Sequence, residues 1–207
     1  RRTLEQSLCT GEHKSCHLYY TQGDDEPGRR LKGYAAAQRR NALQQAEKNR
    51  EAYEADAVRH RASIVRLTAR IRNAMLAYLQ PTPVRAASGA LDAGRIWRGV
   101  YLDDDKVFTK IQQSDPGQLA VDLLLDASSS QVDRQAVVAA QGYMIAEALT
   151  RCHIPVRVTS FCSLSGYTVL TRYRDYQEQD RNERIFRYFT TGCNRDGLAI
   201  RALAKGL

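Results

Sequence analysis

The chain has 207 residues, with 31 lysine and arginine residues against 23 aspartate and glutamate residues, and a formal net charge of +8. This length allows one or two domains with a buried core, and no apolar run reaches the roughly 20 residues of a membrane-spanning helix. The basic charge is compatible with nucleic acid, an anionic membrane or an acidic partner, and it selects none of them.

The cysteines indicate a reduced, cytoplasmic protein. Their number is odd, and they are spread widely rather than clustered as in a disulfide-linked scaffold. The sequence begins with Arg1 and Arg2 and shows no signal peptide, so we expect the true N-terminus to lie outside it. The cysteines are Cys9, Cys16, Cys152, Cys162 and Cys193.

Residues 1–34 are predicted to be an irregular segment. Gly23, the acidic run 24–26 and the Pro27-Gly28 pair indicate a turn or an exposed loop. The segment also holds four residues of the types that bind zinc, within nine positions. Their spacing is not that of a standard zinc finger, and the adjacent pair would point to different sides of a strand or helix, so a zinc site and a metal-free turn both remain open. The four residues are Cys9, His13, Cys16 and His17.

Residues 35–80 are predicted to form one long basic helix or two helices in line, because no proline or glycine interrupts them before Pro81. The first half is polar almost all round, whereas apolar residues recur at spacings of three and four in the second half. We therefore expect the second half to dock on a core and the first half to project or to contact another protein. The apolar stripe is Ile64, Leu67, Ile71, Met75 and Tyr78.

The basic residues of this helical region are a candidate nucleic-acid surface. They are spread around the helix and mixed with acidic residues, and no aromatic side chains accompany them as a stacking platform. A solvated or protein-facing helix is therefore favoured, and nucleic-acid binding is kept as an alternative function.

Residues 84–117 are predicted to be a β-hairpin followed by a linker. Two strand-like runs in 94–112 flank the turn Asp103-Asp104-Asp105-Lys106. Three aspartates in a row would suit Ca²⁺, but a solvated hairpin turn is the favoured interpretation.

Residues 118–207 have a strand–helix–strand rhythm, which predicts an α/β sheet. The near-continuous apolar run 118–126 is typical of a central parallel strand that is covered on both faces. A helix over 133–151, two further strands, a short helix and a final helix are expected to follow. The predicted apolar face of the helix is Val137, Ala140, Met144 and Ala148.

Asp126, Ser128 and Ser130 form an Asp-x-Ser-x-Ser motif where the first strand of this region ends. Ligands of open α/β sheets bind beyond the carboxyl ends of the strands, and carboxylate and hydroxyl oxygens suit a hard cation such as Mg²⁺. The alternative is that these side chains only cap the following helix.

The segment 118–207 resembles the first part of a von Willebrand factor A domain, whose metal-ion-dependent adhesion site uses this motif, a Thr in a second loop and an Asp in a third. The sequence NRDG at 194–197 is similar to that of one branch of this family, which holds the nitric-oxide-reductase activation (NorD-like) proteins and the CobT subunit of aerobic cobaltochelatase. The runs LDAGRIWRGVYLDDDKVFTK, HIPVRVTSFCSLSGYTVL and LCTGEHKSCHL resemble the NorD-like proteins. The resemblance implies a partial doubly wound sheet, preceded by the long helix and the hairpin.

The resemblance also implies a set of metal ligands. Asn194 stands where the family has its second-loop Thr, and Asp196 is near enough in sequence to replace or assist it. The family's third-loop Asp follows a further strand, which would lie beyond Leu207, so we expect these residues to belong to a longer chain. The implied cofactor is Mg²⁺, with Mn²⁺ or Ca²⁺ as alternatives.

The function implied by the resemblance is that of a cytoplasmic, non-catalytic adaptor. Such a protein works with a MoxR-type AAA+ ATPase in the activation of a client metalloenzyme or in its metal insertion. A CobT-type subunit acting in cofactor synthesis is an alternative.

The sequence has neither a Gly-x-Ser-x-Gly motif nor a Gly-x4-Gly-Lys-Ser/Thr loop, which argues against a serine hydrolase and against P-loop nucleotide binding.

Overall fold

The computed structural model describes residues 2–23, 32–78, 82–112 and 119–205. The chain divides into two compact units, residues 1–68 with 120–207 and residues 69–119. A four-stranded mixed sheet belongs to the first unit and a three-stranded antiparallel sheet to the second. The protein is therefore a mixed α/β protein.

The described residues form six α-helices and seven strands. The helices are α1 (Arg2–Leu8), α2 (Gly33–Ala55), α3 (Ala57–Tyr78), α4 (Ile96–Leu102), α5 (Gln135–Arg151) and α6 (Asp196–Ala204). The strands are β1 (His17–Thr21), β2 (Thr82–Ala86), β3 (Ala90–Leu91), β4 (Phe108–Gln112), β5 (Val121–Asp126), β6 (Val156–Leu164) and β7 (Tyr167–Arg174). Two of the 3₁₀ helices, Ser129–Arg134 and Asn182–Arg187, bear on the candidate site.

The sheet of the larger unit has the strand order β1-β7-β6-β5. β5 and β6 are parallel, with Asp126 opposite Phe161, and α5 provides the crossover that parallel neighbours require. β7 returns antiparallel to β6 through a short turn, and β1 adds in parallel to β7. The strands, helices and their order over 118–205 thus confirm the predicted α/β rhythm.

Helices cover both faces of this sheet. Leu124 and Leu125 point to opposite faces because neighbouring side chains alternate along a strand. Leu124 packs against a buried cluster that includes Leu198 of α6. A Cβ placed on Gly142 of α5 would lie 3.3 Å from the Leu125 side chain, so α5 lies close against the other face.

Two details of the predicted α/β region are wrong. β5 was expected to be a central strand, but within the described residues it pairs with β6 alone and is an edge strand. Val137 was expected on the buried face of α5 but is 56% exposed. The buried face of α5 is instead built from small residues that allow a close approach to the sheet, among them Ala139, Ala146 and Ala148.

The predicted helical region is divided into α2 and α3 at Asp56, whose N–H donates to the carbonyl of Glu54. The expectation that the first half projects is wrong. Asn49 of α2 is fully buried, and its Nδ2 donates to the carbonyls of Phe186 and Tyr188, each over 2.9 Å. These bonds fix α2 to the segment after β7.

The expected docking of the second half is confirmed at the start of α3. Ile64 is 2% exposed, and the carbonyl of Thr68 accepts a hydrogen bond from the Cys152 thiol at the end of α5. Leu67, Ile71 and Met75 are half-buried along the same stripe. The side chain of Tyr78 lies outside the described residues.

The prediction of an irregular N-terminal segment is wrong for α1 and β1. Leu8 and Cys16 are buried in the cluster that α6 shares, and the Leu18 N–H donates to Glu5 Oε1 over 2.9 Å. β1 takes its strand conformation from β7, since His17 lies opposite Tyr167. The turn expected at 24–28 lies outside the described residues.

The predicted hairpin over 94–112 is also wrong, because the run expected to be its first strand forms the helix α4. The aromatic and β-branched residues in 96–101 favour a strand, but local capping sets a helix. The Asp92 side chain accepts a hydrogen bond from the Gly94 N–H where the helical turns begin. Asp103 ends α4 in the left-handed conformation, with a φ of 52°, and its N–H donates to the Arg98 carbonyl. β4 pairs with β2 and β3 instead, and the linker 113–118 lies outside the described residues.

The triple aspartate forms the connection between α4 and β4. Asp104 accepts from the Lys106 N–H and from Arg98 Nε, each over 3.1 Å. The Lys106 amide and the Arg98 guanidinium lower the pKa of this carboxyl. Its oxygens therefore serve a local turn, as predicted, but this turn joins a helix to a strand rather than two strands of a hairpin.

None of the helices in the described ranges combines the length and the apolar composition that crossing a bilayer requires.

Candidate metal centre

The Asp-x-Ser-x-Ser motif forms a tight loop directly after β5. Asp126 Oδ1 accepts the Ser128 N–H over 2.9 Å, and the hydroxyls of Ser128 and Ser130 lie 2.9 Å apart. Ser128 is 2% exposed, whereas Ser130 lies at the surface. The fold therefore brings the three predicted residues of the first loop together.

These serines do not serve as helix caps in the described chain. Ser128 is the N-cap residue of Ser129–Arg134 but makes no side-chain capping bond, and Arg134 makes none for α5. The Ser128 hydroxyl is directed to Ser130 instead. This geometry argues against the helix-cap alternative.

A second loop, residues 191–193, holds the first loop in place. Ser129 donates to the Gly192 carbonyl through both its N–H and its hydroxyl, over 3.0 and 2.7 Å. The Thr191 N–H donates to the Ala127 carbonyl over 2.8 Å. Ser163 and Cys193 exchange two backbone hydrogen bonds, each 2.8 Å long. The loop is thus attached to the carboxyl ends of both β5 and β6.

Gly192 is required for this attachment. Its φ of +67° lies in the left-handed region, and a Cβ there would stand 2.3 Å from the Ser163 carbonyl oxygen. Only glycine permits so close an approach.

Buried side chains hydrogen-bond to the backbone next to both loops. Tyr188 is fully buried, and its hydroxyl donates to the Asp126 carbonyl. Burial, together with Tyr173 and Asp126, raises the pKa of Tyr188, so its hydroxyl remains protonated. Gln135 Oε1 accepts the Thr190 N–H over 2.9 Å. Sequence patterns gave no signal for Tyr188, Gln135 or Gly192, because each acts through a contact distant in sequence.

Asn194 and Asp196 follow the second loop, and both are exposed. Asp196 Oδ1 accepts the Gly197 N–H over 2.8 Å at the start of α6. Within the described residues, no hydrogen bond links either side chain to the first loop. The structure therefore assembles the first-loop donors and leaves these two at its margin.

Charge at the loop is low, because Asp126 is the one carboxylate among its three donors. Burial, and then the Asp126 charge, raise the pKa of the Cys162 thiol, so this thiol stays neutral. One carboxylate and two converging hydroxyls fit a hard divalent cation, for which solvent or a partner supplies the remaining oxygens. In the described ranges no three His, Cys, Asp or Glu side chains gather as a metal-binding group. The candidate site holds one such side chain, Asp126, and two serine hydroxyls, so it is not a group of that kind.

The same finding argues against the zinc hypothesis. Cys16 is buried and accepts a hydrogen bond from Arg195, whereas the ring of exposed His17 lies beside that of Tyr167, tilted by 32° with the ring centroids 5.1 Å apart. The two neighbours point to opposite sides, as alternation along an extended chain requires. Cys9, His13, Cys16 and His17 therefore do not form one zinc site.

Comparison of the chain with protein-family models, with curated proteins and with solved structures gives no match.

Proposed function

We propose that the protein is a non-catalytic, cytoplasmic adaptor of the von Willebrand A type, which binds a partner protein through Mg²⁺ held by Asp126, Ser128 and Ser130. The observation that carries the proposal is the convergence of the two serine hydroxyls beside Asp126 at the carboxyl end of a parallel strand.

The proposed division of labour follows from the donors. Asp126 supplies the negative charge, and the neutral hydroxyls of Ser128 and Ser130 orient the cation without further neutralising it. A Mg²⁺ ion held this way keeps enough positive charge to accept a carboxylate from a partner. Exposed Asn194 and Asp196, which follow the second loop, would contribute further oxygens.

The proposed partner is a MoxR-type AAA+ ATPase, which would couple to a client metalloenzyme. This part of the proposal comes from the resemblance of NRDG and the three longer runs to the NorD-like proteins. Recovery of a CobN-like large subunit would assign the protein to the CobT-type alternative. Nucleic-acid binding that persists in EDTA and falls steeply with salt would favour the basic helices.

The experiment is a pull-down from a native-host lysate with wild-type protein and the Asp126→Ala variant as baits, in Mg²⁺ and in EDTA. We expect the wild type to retain an AAA+ ATPase in Mg²⁺ and to lose it at least tenfold in EDTA or on substitution of Asp126. The loss reflects removal of the one carboxylate that anchors the cation.

Asp133→Ala is the matched control, because Asp133 is an exposed aspartate in the 3₁₀ helix beside the motif. This variant should retain the ATPase as the wild type does. Identical partners in every lane would overturn the proposal. Loss of the ATPase from both variants would also overturn it, because retention would then depend on negative charge in this region and not on Asp126 itself.

A further inference from the structure

A cavity of about 500 Å³ lies between α2 and the face of the sheet formed by β6 and β7. Ala127 and Thr191, which are joined by a backbone hydrogen bond, form part of its wall. Its volume falls in the range of about 300–1,000 Å³ that small-molecule sites occupy.

The cavity results from small side chains that face each other. Ala42 and Ala46 of α2 are opposed by Ser160, Cys162 and Thr171 of the sheet. Further along α2, the bonds from Asn49 to the carbonyls after β7 fix how far the helix stands from the rest of the unit. The small residues therefore leave a space that they cannot fill.

Hydroxyl groups lie at the sheet side of this cavity. Ser160 and Tyr173 are 3% and 4% exposed, and their hydroxyl oxygens lie 2.9 Å apart. Their mutual hydrogen bond uses one of two hydroxyl hydrogens, so the pair retains a second donor. Burial raises the pKa of Tyr173, so its phenol stays protonated and keeps its hydrogen.

The charged groups among the described lining residues are two arginines, Arg39 and Arg187, and both are exposed. Each guanidinium carries five N–H donors, so it can bind an anion in addition to its contacts within the protein. The remaining walls are mostly apolar, with Leu43, Val169 and Phe189 among them.

We infer that this cavity binds a small apolar molecule that carries one carboxylate. The apolar body lies between α2 and the sheet, and the carboxylate lies against Arg39 and Arg187. This inference is independent of the proposed function, because neither arginine is a proposed ligand of the cation. Ala127, the motif residue in the cavity wall, has no side-chain oxygen to give to the cation.

Decanoate is a suitable probe, and decanol is its uncharged match. We expect titration calorimetry in EDTA to show that decanoate binds at least tenfold more tightly than decanol. In the double variant Arg39→Gln/Arg187→Gln, the decanoate affinity should fall to that of decanol. Arg40→Gln is the control, since Arg40 is an exposed arginine of the same helix that does not line the cavity.

Filling the cavity gives a second test. Ala46→Phe should abolish binding of both probes, whereas Ala35→Phe, at an exposed position of α2, should leave binding unchanged. Absence of decanoate binding by the wild type, or equal binding of decanoate and decanol, would overturn the inference. If Ala46→Phe does not fold, the arginine variants decide alone. Asp126→Ala should bind decanoate as the wild type does, which separates this test from that of the proposed function.

Discussion

Replacing Gly192 by alanine is expected to lower the free energy of unfolding by roughly 3–5 kcal/mol and to abolish Mg²⁺-dependent retention of the partner. The added Cβ would stand 2.3 Å from the Ser163 carbonyl oxygen and 3.0 Å from its carbon, and both are backbone atoms that cannot rotate away. Relief requires the second loop to separate from β6. Such a movement would withdraw the Gly192 carbonyl from Ser129 and release the first loop.

Gly166→Ala is the matched control for this substitution. Gly166 also has a positive φ, +83°, but the nearest atom to an added Cβ is the Ser15 carbonyl oxygen at 3.9 Å. This variant should therefore show only the left-handed conformational cost of about 1–2 kcal/mol, with partner retention intact. Urea unfolding of both variants measures the difference. Equal losses would mean that the close approach of Gly192 to Ser163 is not maintained in solution.

The elements that could be predicted from sequence are those with a local signal. The apolar run of β5, the strand-like runs of β6 and β7 and the absence of breakers in α2 and α3 each predicted the observed type of element. α4 was mispredicted because its aromatic and β-branched residues favour a strand, whereas its helix is fixed by Asp92 and Asp103 at its ends. β1 was missed because its partner strand begins at Tyr167, far along the chain.

The candidate site shows the same division. Asp126, Ser128 and Ser130 could be predicted because the motif and the strand before it are contiguous. The second loop could be located only approximately. Sequence pointed to Asn194 and Asp196, but the residues that hold the first loop are Gly192 and its neighbours, through backbone bonds that no side-chain pattern encodes.

The polar first half of the helical region shows why burial of single polar residues escapes pattern analysis. Asn49 lies among charged and amide side chains, so periodicity assigns it to solvent. Its partners, the carbonyls of Phe186 and Tyr188, lie 137 and 139 residues away. Asn49 is therefore the point at which the largest stability effect in α2 is expected.

Asn49→Asp is expected to lower the free energy of unfolding by roughly 3–5 kcal/mol at pH 8. The shape of the side chain is retained, but an ionised carboxylate cannot donate, and it would face two carbonyl oxygens from a fully buried position. Gln45 Nε2, at 2.8 Å from Asn49 Oδ1, would be the one remaining hydrogen-bond donor that the structure gives this side chain. Asn41→Asp makes the same chemical change at an exposed position of α2 and should alter the free energy of unfolding by less than about 0.5 kcal/mol.

The effect of Asn49→Asp should depend on pH in a defined direction. Burial and the two carbonyls raise the pKa of the new carboxyl in the folded protein above its unfolded value of about 3.9. Between these two values the folded state binds more protons than the unfolded state, so stability falls as pH rises, by up to about 1.4 kcal/mol per pH unit. Urea unfolding of wild type, Asn49→Asp and Asn41→Asp at pH 4.5 and pH 8 tests this, because subtracting the wild-type values removes the other titrating groups. A loss of the same size at both pH values would show that the carboxyl at position 49 reaches solvent and that α2 does not make the buried contact.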